Sequence, residues 1–410
     1  MSVAEKVKYG LKEKSFVILL VFCIQFTELK FDVIKITEIL LLLLTPFLYY
    51  KKINKWVLRF MSLFILWFAV SIVLNPFRDF YQLEGVSILK RPYLITIGRF
   101  LELIACVNLM ALTIQFLKDK SREEIYFLVK KIVVYSFVLL LILLVIYFTF
   151  LIGLIDKTSL IYENERLRGW FAEGGPYGLM LAFIFCLSFF YKSKYNTFIR
   201  GVIILSIIFV ARSKAGLLLT MVWFTIIYHK RLYNKLRQLN IVVIFLGVLI
   251  ILIVSVKISH KYIYAIKHVE KEMRERPTDI NLVMGRIAGL YIFPEMVRDH
   301  LLFGIGLGNY PLMRNNPEYL GFIPHSPPGK TDAHGFGGII QILVDGGLIF
   351  FSMFLSIFYL LFKSLKNNPS LTPFLYIFLF LFMFGVQIYF LYPWVLLGLI
   401  IALLNKPNPI

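Results

Sequence analysis

Apolar residues in this chain run in long blocks, and the polar positions between them are short and clustered. A helix that crosses a membrane needs about 20 predominantly apolar residues, because the hydrocarbon layer is about 30 Å thick and each helical residue rises about 1.5 Å. On that criterion the blocks predict spans over 15–31, 33–50, 56–75, 93–117, 132–153, 175–191, 198–211, 214–229, 240–258, 336–362, 371–387 and 389–404. Within the last two, only Asn368-Pro-Ser-Leu-Thr-Pro373 and then Tyr392, Pro393 and Trp394 supply punctuation. The basic stretch 1–14 precedes an apolar run without a small-residue cleavage site, so a retained first helix is expected rather than a cleaved signal. The reading is an all-α polytopic membrane protein of about twelve transmembrane helices.

The short polar loops set the orientation. Lys and Arg near span ends are retained in the cytoplasm, and the loops 51–55, 118–124, 191–200, 229–237 and 363–366 are all basic. With twelve spans they fall on the side of the basic N-terminus, so both termini are expected inside. The opposite side receives 76–92, 154–174, the turn around 211–214 and the long connection 259–335. This divides the chain into helices 1–9 over 1–258, a large outer loop over 259–335 and helices 10–12 over 336–410. The loop opens with HKYIYAIKHVEKEMRER (260–276), whose mixed charges at helical spacing predict an amphipathic helix on or near the membrane surface, stopped by Pro277. A second helix is expected over roughly 281–301, followed by the glycine-rich turn FGIGLGNY (303–310).

Composition agrees. The 410 residues are 59% hydrophobic and 17% aromatic with a formal net charge of +20, and the mean hydropathy is +0.78, more apolar surface than a water-soluble core of this size needs. The three cysteines, Cys23, Cys106 and Cys186, lie inside apolar runs and away from metal or disulfide spacing, so they read as packing residues. HExxH, paired cysteines and DxD are all missing, so the sequence suggests neither a metal nor another cofactor. No nucleic-acid partner is expected.

Charges on the outer side, against the usual bias, mark four places where chemistry could sit. ENERLRGWFAEGGPYG (163–178) sets Arg166, Arg168 and Glu173 beside Trp170, Phe171 and Tyr177 around a flexible turn. ARSKAGLLL (211–219) puts Arg212 and Lys214 at the outer end of a span among small residues. MGRIAGLY (284–291) places Arg286 where glycine and alanine let a bulky anion approach. TDAHGFGG (331–338) sets His334 just outside a span, and an imidazole there can take a proton from a hydroxyl. Each has a plainer reading as lipid-headgroup anchor, snorkelling cation or structural histidine. His325 is the alternative histidine; His229, His260, His268 and His300 read as surface or interfacial residues. In the spans, Lys35 with Glu38 and Arg99 with Glu102 are spaced to pair on one helix face.

In this order and at these positions, the four segments resemble the O-antigen ligase and O-antigen polymerase family of bacterial membrane enzymes. MGRIAGLYIFPEMVRDHLLFGIGLGNYP is similar to the family's arginine followed by a short helix and a GiGlGny turn, which implies a substrate-gripping role for Arg286. IIQILVDGGLIFF with the upstream histidine is similar to its HNxYLQxLxExGL pattern and implies that His334 is the general base, although His334 stands seven residues before Gln341 rather than five. ARSKAGLLL is similar to SRxxLL, with Lys214 at the arginine position and Arg212 two residues upstream. RLRGWFAEGGPYG resembles RxxGxFxEPxxxG of polysaccharide polymerases and adds Arg168 and Glu173.

The resemblance implies a GT-C-like, inverting, metal-independent glycosyltransferase in the bacterial inner membrane, with its active site on the periplasmic side. Arg168, Arg212 or Lys214, and Arg286 would hold the pyrophosphate of an undecaprenyl-pyrophosphate-linked oligosaccharide. His334 would activate an acceptor glycan, and Trp170, Tyr177 and Tyr310 would offer faces to sugar rings. The 163–178 segment favours a polymerase, with a chain-length regulator as a further partner, over a ligase that delivers glycan to lipid A core in lipopolysaccharide biosynthesis. A polysaccharide or lipid transporter is the competing class; it would be expected to show inverted halves, and no internal repeat relates 1–205 to 206–410.

Overall fold

The computed structural model describes residues 10–31, 34–49, 53–81, 91–155, 158–162, 165–238, 263–264, 267–277, 280–283, 285–325, 337–383, 385–404 and 406. Among them the chain is helical almost throughout, and the strands form two hairpins of two-residue strands, β1 (Lys30–Phe31) with β2 (Ile34–Lys35) and β3 (Ile161–Tyr162) with β4 (Arg166–Leu167). Four helical stretches, Lys55–Phe77, Pro92–Leu117, Arg122–Leu151 and Gly338–Asn367, are long and apolar enough to cross a membrane, and five shorter apolar helices accompany them. This is an all-α membrane protein.

The helices are α1 (Leu11–Gln25), α2 (Ile36–Leu43), α3 (Thr45–Tyr49), α4 (Lys55–Leu74), α5 (Pro92–Leu117), α6 (Arg122–Leu151), α7 (Gly174–Leu187), α8 (Asn196–Leu205), α9 (Lys214–Gln238), α10 (Val269–Glu275), α11 (Ile280–Val283), α12 (Arg286–Asp299), α13 (Tyr310–Met313), α14 (Pro317–Leu320), α15 (Gly338–Ser364), α16 (Thr372–Met383) and α17 (Leu391–Leu404). They fall into two compact units, one of 1–64, 101–223 and 356–410 and the other of 65–100 and 224–355.

In the first unit α1 packs on α6 and α17, and α17 on α16. Every residue of α17 from Leu391 to Leu403 is buried, as expected of a helix that is apolar all round. Trp394 meets Phe60, Phe64 and Phe378 edge-on at ring distances of 5.2, 5.7 and 6.0 Å. Helix α6 has two apolar faces with different neighbours. Ile125, Leu128, Val129, Ile132 and Leu140 are buried, whereas Val138, Leu141, Ile142, Val145 and Phe148 are exposed at helical spacing, the face such a helix turns to lipid. The helix starts at Arg122, ten residues before the expected span. Ser121 Oγ accepts from Glu124 N at 3.2 Å, and the Glu124 carboxylate accepts from Ser121 N at 2.6 Å, a reciprocal cap that lets the helix begin in polar sequence.

One expected span is corrected by the structure. No single helix runs through 33–50: β2, α2 and α3 occupy 34–49, and the α2–α3 break comes at Leu44, two residues before Pro46, which has no N–H to give Leu42 O and whose ring crowds that carbonyl. Within 260–276, α10 is short, and its apolar residues Val269 and Met273 are 3% and 0% exposed in the core of the second unit, whereas Ile263 and Tyr264 are 50% and 56% exposed. The expected span 240–258 lies outside the described residues.

The second unit is built on that core. Val269 and Met273 pack with Ala288, Ile292, Phe293 and Met296 of α12, with Ile305, Tyr310 and Met313, and with Val344 of α15. Helix α12 opens on Arg286 behind Gly285 and carries Pro294 inside it.

Candidate functional site

In the first unit the structure brings together two of the four segments marked by sequence. The β3–β4 hairpin pairs Tyr162 with Arg166, and the Arg166 guanidinium reaches the other segment, where Nε donates to Ala211 O at 3.1 Å and Nη2 to Arg212 O at 3.3 Å. Ser213, 3% exposed, donates from Oγ to Gly175 O at 2.9 Å and accepts from Gly216 N at 3.1 Å, so it caps α9 while tying it to the start of α7. The contact is close because it is built on glycine: a Cβ on Gly178 would lie 2.1 Å from Ser213 Cβ, and one on Gly216 would lie 2.5 Å from Gly178 O. Arg212 has φ +48 and Lys214 begins α9; both are exposed. Two cations and the N-terminus of a 25-residue helix thus stand at one end of the joined loops, an arrangement that suits an anion.

Arg168 closes its own loop, with Nε donating to Ser159 O at 2.7 Å and Nη1 to Ala172 O at 2.9 Å. Glu173 is half-buried at the residue before α7 and makes no side-chain cap there. Trp170 rests on Phe26 at 4.2 Å between rings, and the Ala172 amide donates to the Glu28 carboxylate. Tyr177 is 1% exposed against Phe171 and Gly169, and its hydroxyl has no partner among the described residues. Its ring faces protein.

In the second unit Arg286 is exposed at the first turn of α12. His334 lies outside the described residues, but Gly337 and Gly338 beyond it both have positive φ, +66 and +58, a backbone that favours glycine. Tyr310 is fully buried, its ring edge-on to Phe293 at 4.9 Å, so this ring too faces protein.

Sequence reasoning missed the polar network around the glycine turn. Gly304, Gly306 and Gly308 all have positive φ. Asn309 Nδ2 donates to Asn75 Oδ1 at 3.1 Å and to Ile305 O at 3.2 Å, Arg78 donates to Gly304 O at 2.8 Å and Asn75 Oδ1 at 3.0 Å, and Leu307 N donates to Ser71 Oγ at 3.1 Å. The buried Asp345 carboxylate accepts from Gly308 N at 3.1 Å and from Gln341 Nε2 at 2.6 Å. Burial holds the Arg78 guanidinium down at about 10, and the nearby Asp345 charge opposes that shift. An acidic residue inside an apolar run was the available signal for Asp345.

Arg314 was missed as well. It is 0% exposed, and burial lowers its pKa from the ordinary arginine value. Nη2 donates to Val283 O at 2.8 Å and Pro324 O at 3.3 Å, and Nη1 to Asn315 Oδ1 at 3.0 Å, which ties the end of α11 and the loop at Pro324 to one guanidinium. Half-buried His300 contacts Tyr319 OH at 3.3 Å, and burial followed by the Arg78 charge lowers its pKa. Among the described residues, no three His, Cys, Asp or Glu side chains are grouped to hold a metal ion. Comparison of the chain with protein-family models, curated proteins and solved structures gives no match.

Proposed function

We propose that this protein is an inverting glycosyltransferase of the bacterial inner membrane that polymerises surface-polysaccharide repeat units. It takes the growing glycan from undecaprenyl pyrophosphate and transfers it to a hydroxyl of an acceptor lipid-linked repeat. The supporting observation is the joining of the 163–178 and 211–219 segments, far apart in sequence, so that Arg212 and Lys214 stand exposed at a helix N-terminus beside Arg166. Cations and helix amides held in advance stabilise a developing diphosphate with little reorganisation. In this proposal Arg168 shapes the loop, Arg286 grips the substrate and His334 takes the acceptor proton. The proposed GT-C-like architecture has twelve crossings with both termini inside: the four long helices, the five shorter apolar ones, α1, the α2–α3 pair and 240–258. The site then opens to the periplasm.

Purified protein supplied only with lipid-linked repeats tests the reading. Elongated lipid-linked glycan is expected. Glycan release only when lipid A core is added would make the enzyme a ligase, and no transfer with either acceptor would remove the enzyme reading.

A further inference from the structure

We propose that Leu301–Phe303 is a lipid-seated wedge: non-helical backbone at the membrane–water interface, its apolar side chains among lipid acyl chains, against the break in α15. The wedge stands independently of the transferase reading. At Gly347, with φ +68 and ψ −174, α15 departs from helical geometry, and an unbroken helix would have joined Leu348 N to Val344 O and Ile349 N to Asp345 O. The 301–306 segment takes up all four groups. Leu348 N donates to Leu301 O at 2.8 Å and Ile349 N to Leu302 O at 3.2 Å, while Ile305 N donates to Val344 O at 3.0 Å and Gly306 N to Asp345 O at 2.9 Å. Gly347 is needed because a Cβ there would sit 2.5 Å from Leu302 O.

Leu301, Leu302 and Phe303 are 47%, 55% and 40% exposed, and Leu348 and Ile349, bonded to them, are 45% and 36% exposed. Lipid-exposed irregular backbone does not occur in the hydrocarbon core but is accommodated at the interface, where water reaches the amides, and the exchange with α15 satisfies the carbonyls of Leu301 and Leu302. The patch is continuous with the exposed apolar surface of α15, one of the helices fit to span a membrane. A second such stretch ends at Phe77, 83% exposed, and the next residue, Arg78, donates to Gly304 O. Just before the wedge in sequence, the Arg298–Asp299 ion pair, with side chains 73% and 36% exposed, marks where polar surface begins. The occupant that fits an apolar surface between two spans and a charged border is lipid acyl chain. The wedge would hold the 304–309 glycine turn at the level of the membrane surface.

Spin labels at Leu302→Cys and Phe303→Cys, in full-length protein in phosphatidylethanolamine and phosphatidylglycerol vesicles, test this. Glu275→Cys serves as the exposed polar control, and the wild type, whose three cysteines are all buried, sets the background. The expected result is a ratio of relaxation by oxygen to relaxation by a water-soluble nickel chelate above one at 302 and 303 and below one at 275. A ratio at both wedge positions equal to that at 275 would overturn the proposal, and so would a label shielded from both reagents, since protein rather than lipid would then cover the patch.

Discussion

At the scale of single residues, Arg314 shows how a guanidinium can serve structure instead of substrate. It is fully buried and directs its fork to two backbone carbonyls and one side-chain amide. Each hydrogen bond to a charged group is worth about 1.5–3 kcal/mol, and Lys lacks the planar fork. Arg314→Lys is expected to destabilise the protein by about 2–3 kcal/mol, read as a lower thermal midpoint in detergent. His300 gives a pH prediction. Its folded pKa lies below the ordinary 6.5, so the unfolded chain takes up the proton more readily. The contribution is therefore intact above 6.5 and is lost as pH falls below it. Thermal midpoints measured from pH 7.5 to 5 should fall, and His300→Gln should flatten part of that fall.

At the scale of elements, the helices were legible wherever local rules apply. The span expected over 56–75 appears as Lys55–Leu74, and that over 93–117 as Pro92–Leu117. The glycine-rich turn was legible for the same reason, since Gly304, Gly306 and Gly308 adopt the backbone glycine favours. The break inside α15 was not legible, because Gly346-Gly347 sits in an apolar run and its broken bonds are replaced by the distant 301–306 segment. Gly347→Ala should cost on the order of 1–3 kcal/mol for its backbone alone, with a further penalty from the Leu302 carbonyl, visible as a lowered midpoint. Gly178→Ala tests the other close contact. By pushing Ser213 away it should separate the two cation-bearing loops, with transfer activity lost before helicity measured by circular dichroism.

For the whole molecule, the predictions concern charge and orientation. If Arg212 and Lys214 hold the pyrophosphate, Arg212→Ala with Lys214→Ala should lower kcat/KM for lipid-linked donor by roughly 10²–10³-fold, the scale of losing a preorganised stabilising group. A variant with wild-type turnover would remove that role. Charge also appears inside the first unit, where Lys35 Nζ lies 2.9 Å from both Glu38 and Glu102, with Tyr389 5.5 Å away. The Lys35–Glu38 pair was expected from spacing, but the recruitment of Glu102 by Lys35 was not, because it joins residues 67 positions apart. Lys35→Met would leave two acidic groups without this cation and should cost about 3–5 kcal/mol, measured as reduced folded yield.

The sequence by itself determined that this is a helical membrane protein, where most of its long helices lie, and where cations and glycines gather, because apolar block length, capping residues and backbone preference all act over a few neighbouring residues. Only the tertiary structure decided which polar groups have partners. Nothing local tells that Ser213 seats against Gly178, that Arg314 ties the end of α11 to the loop at Pro324, or that a turn near 305 replaces the missing bonds of α15. Those are contacts between distant stretches of chain, and a polar group buried in apolar surroundings is stabilised by whichever partner the fold brings to it.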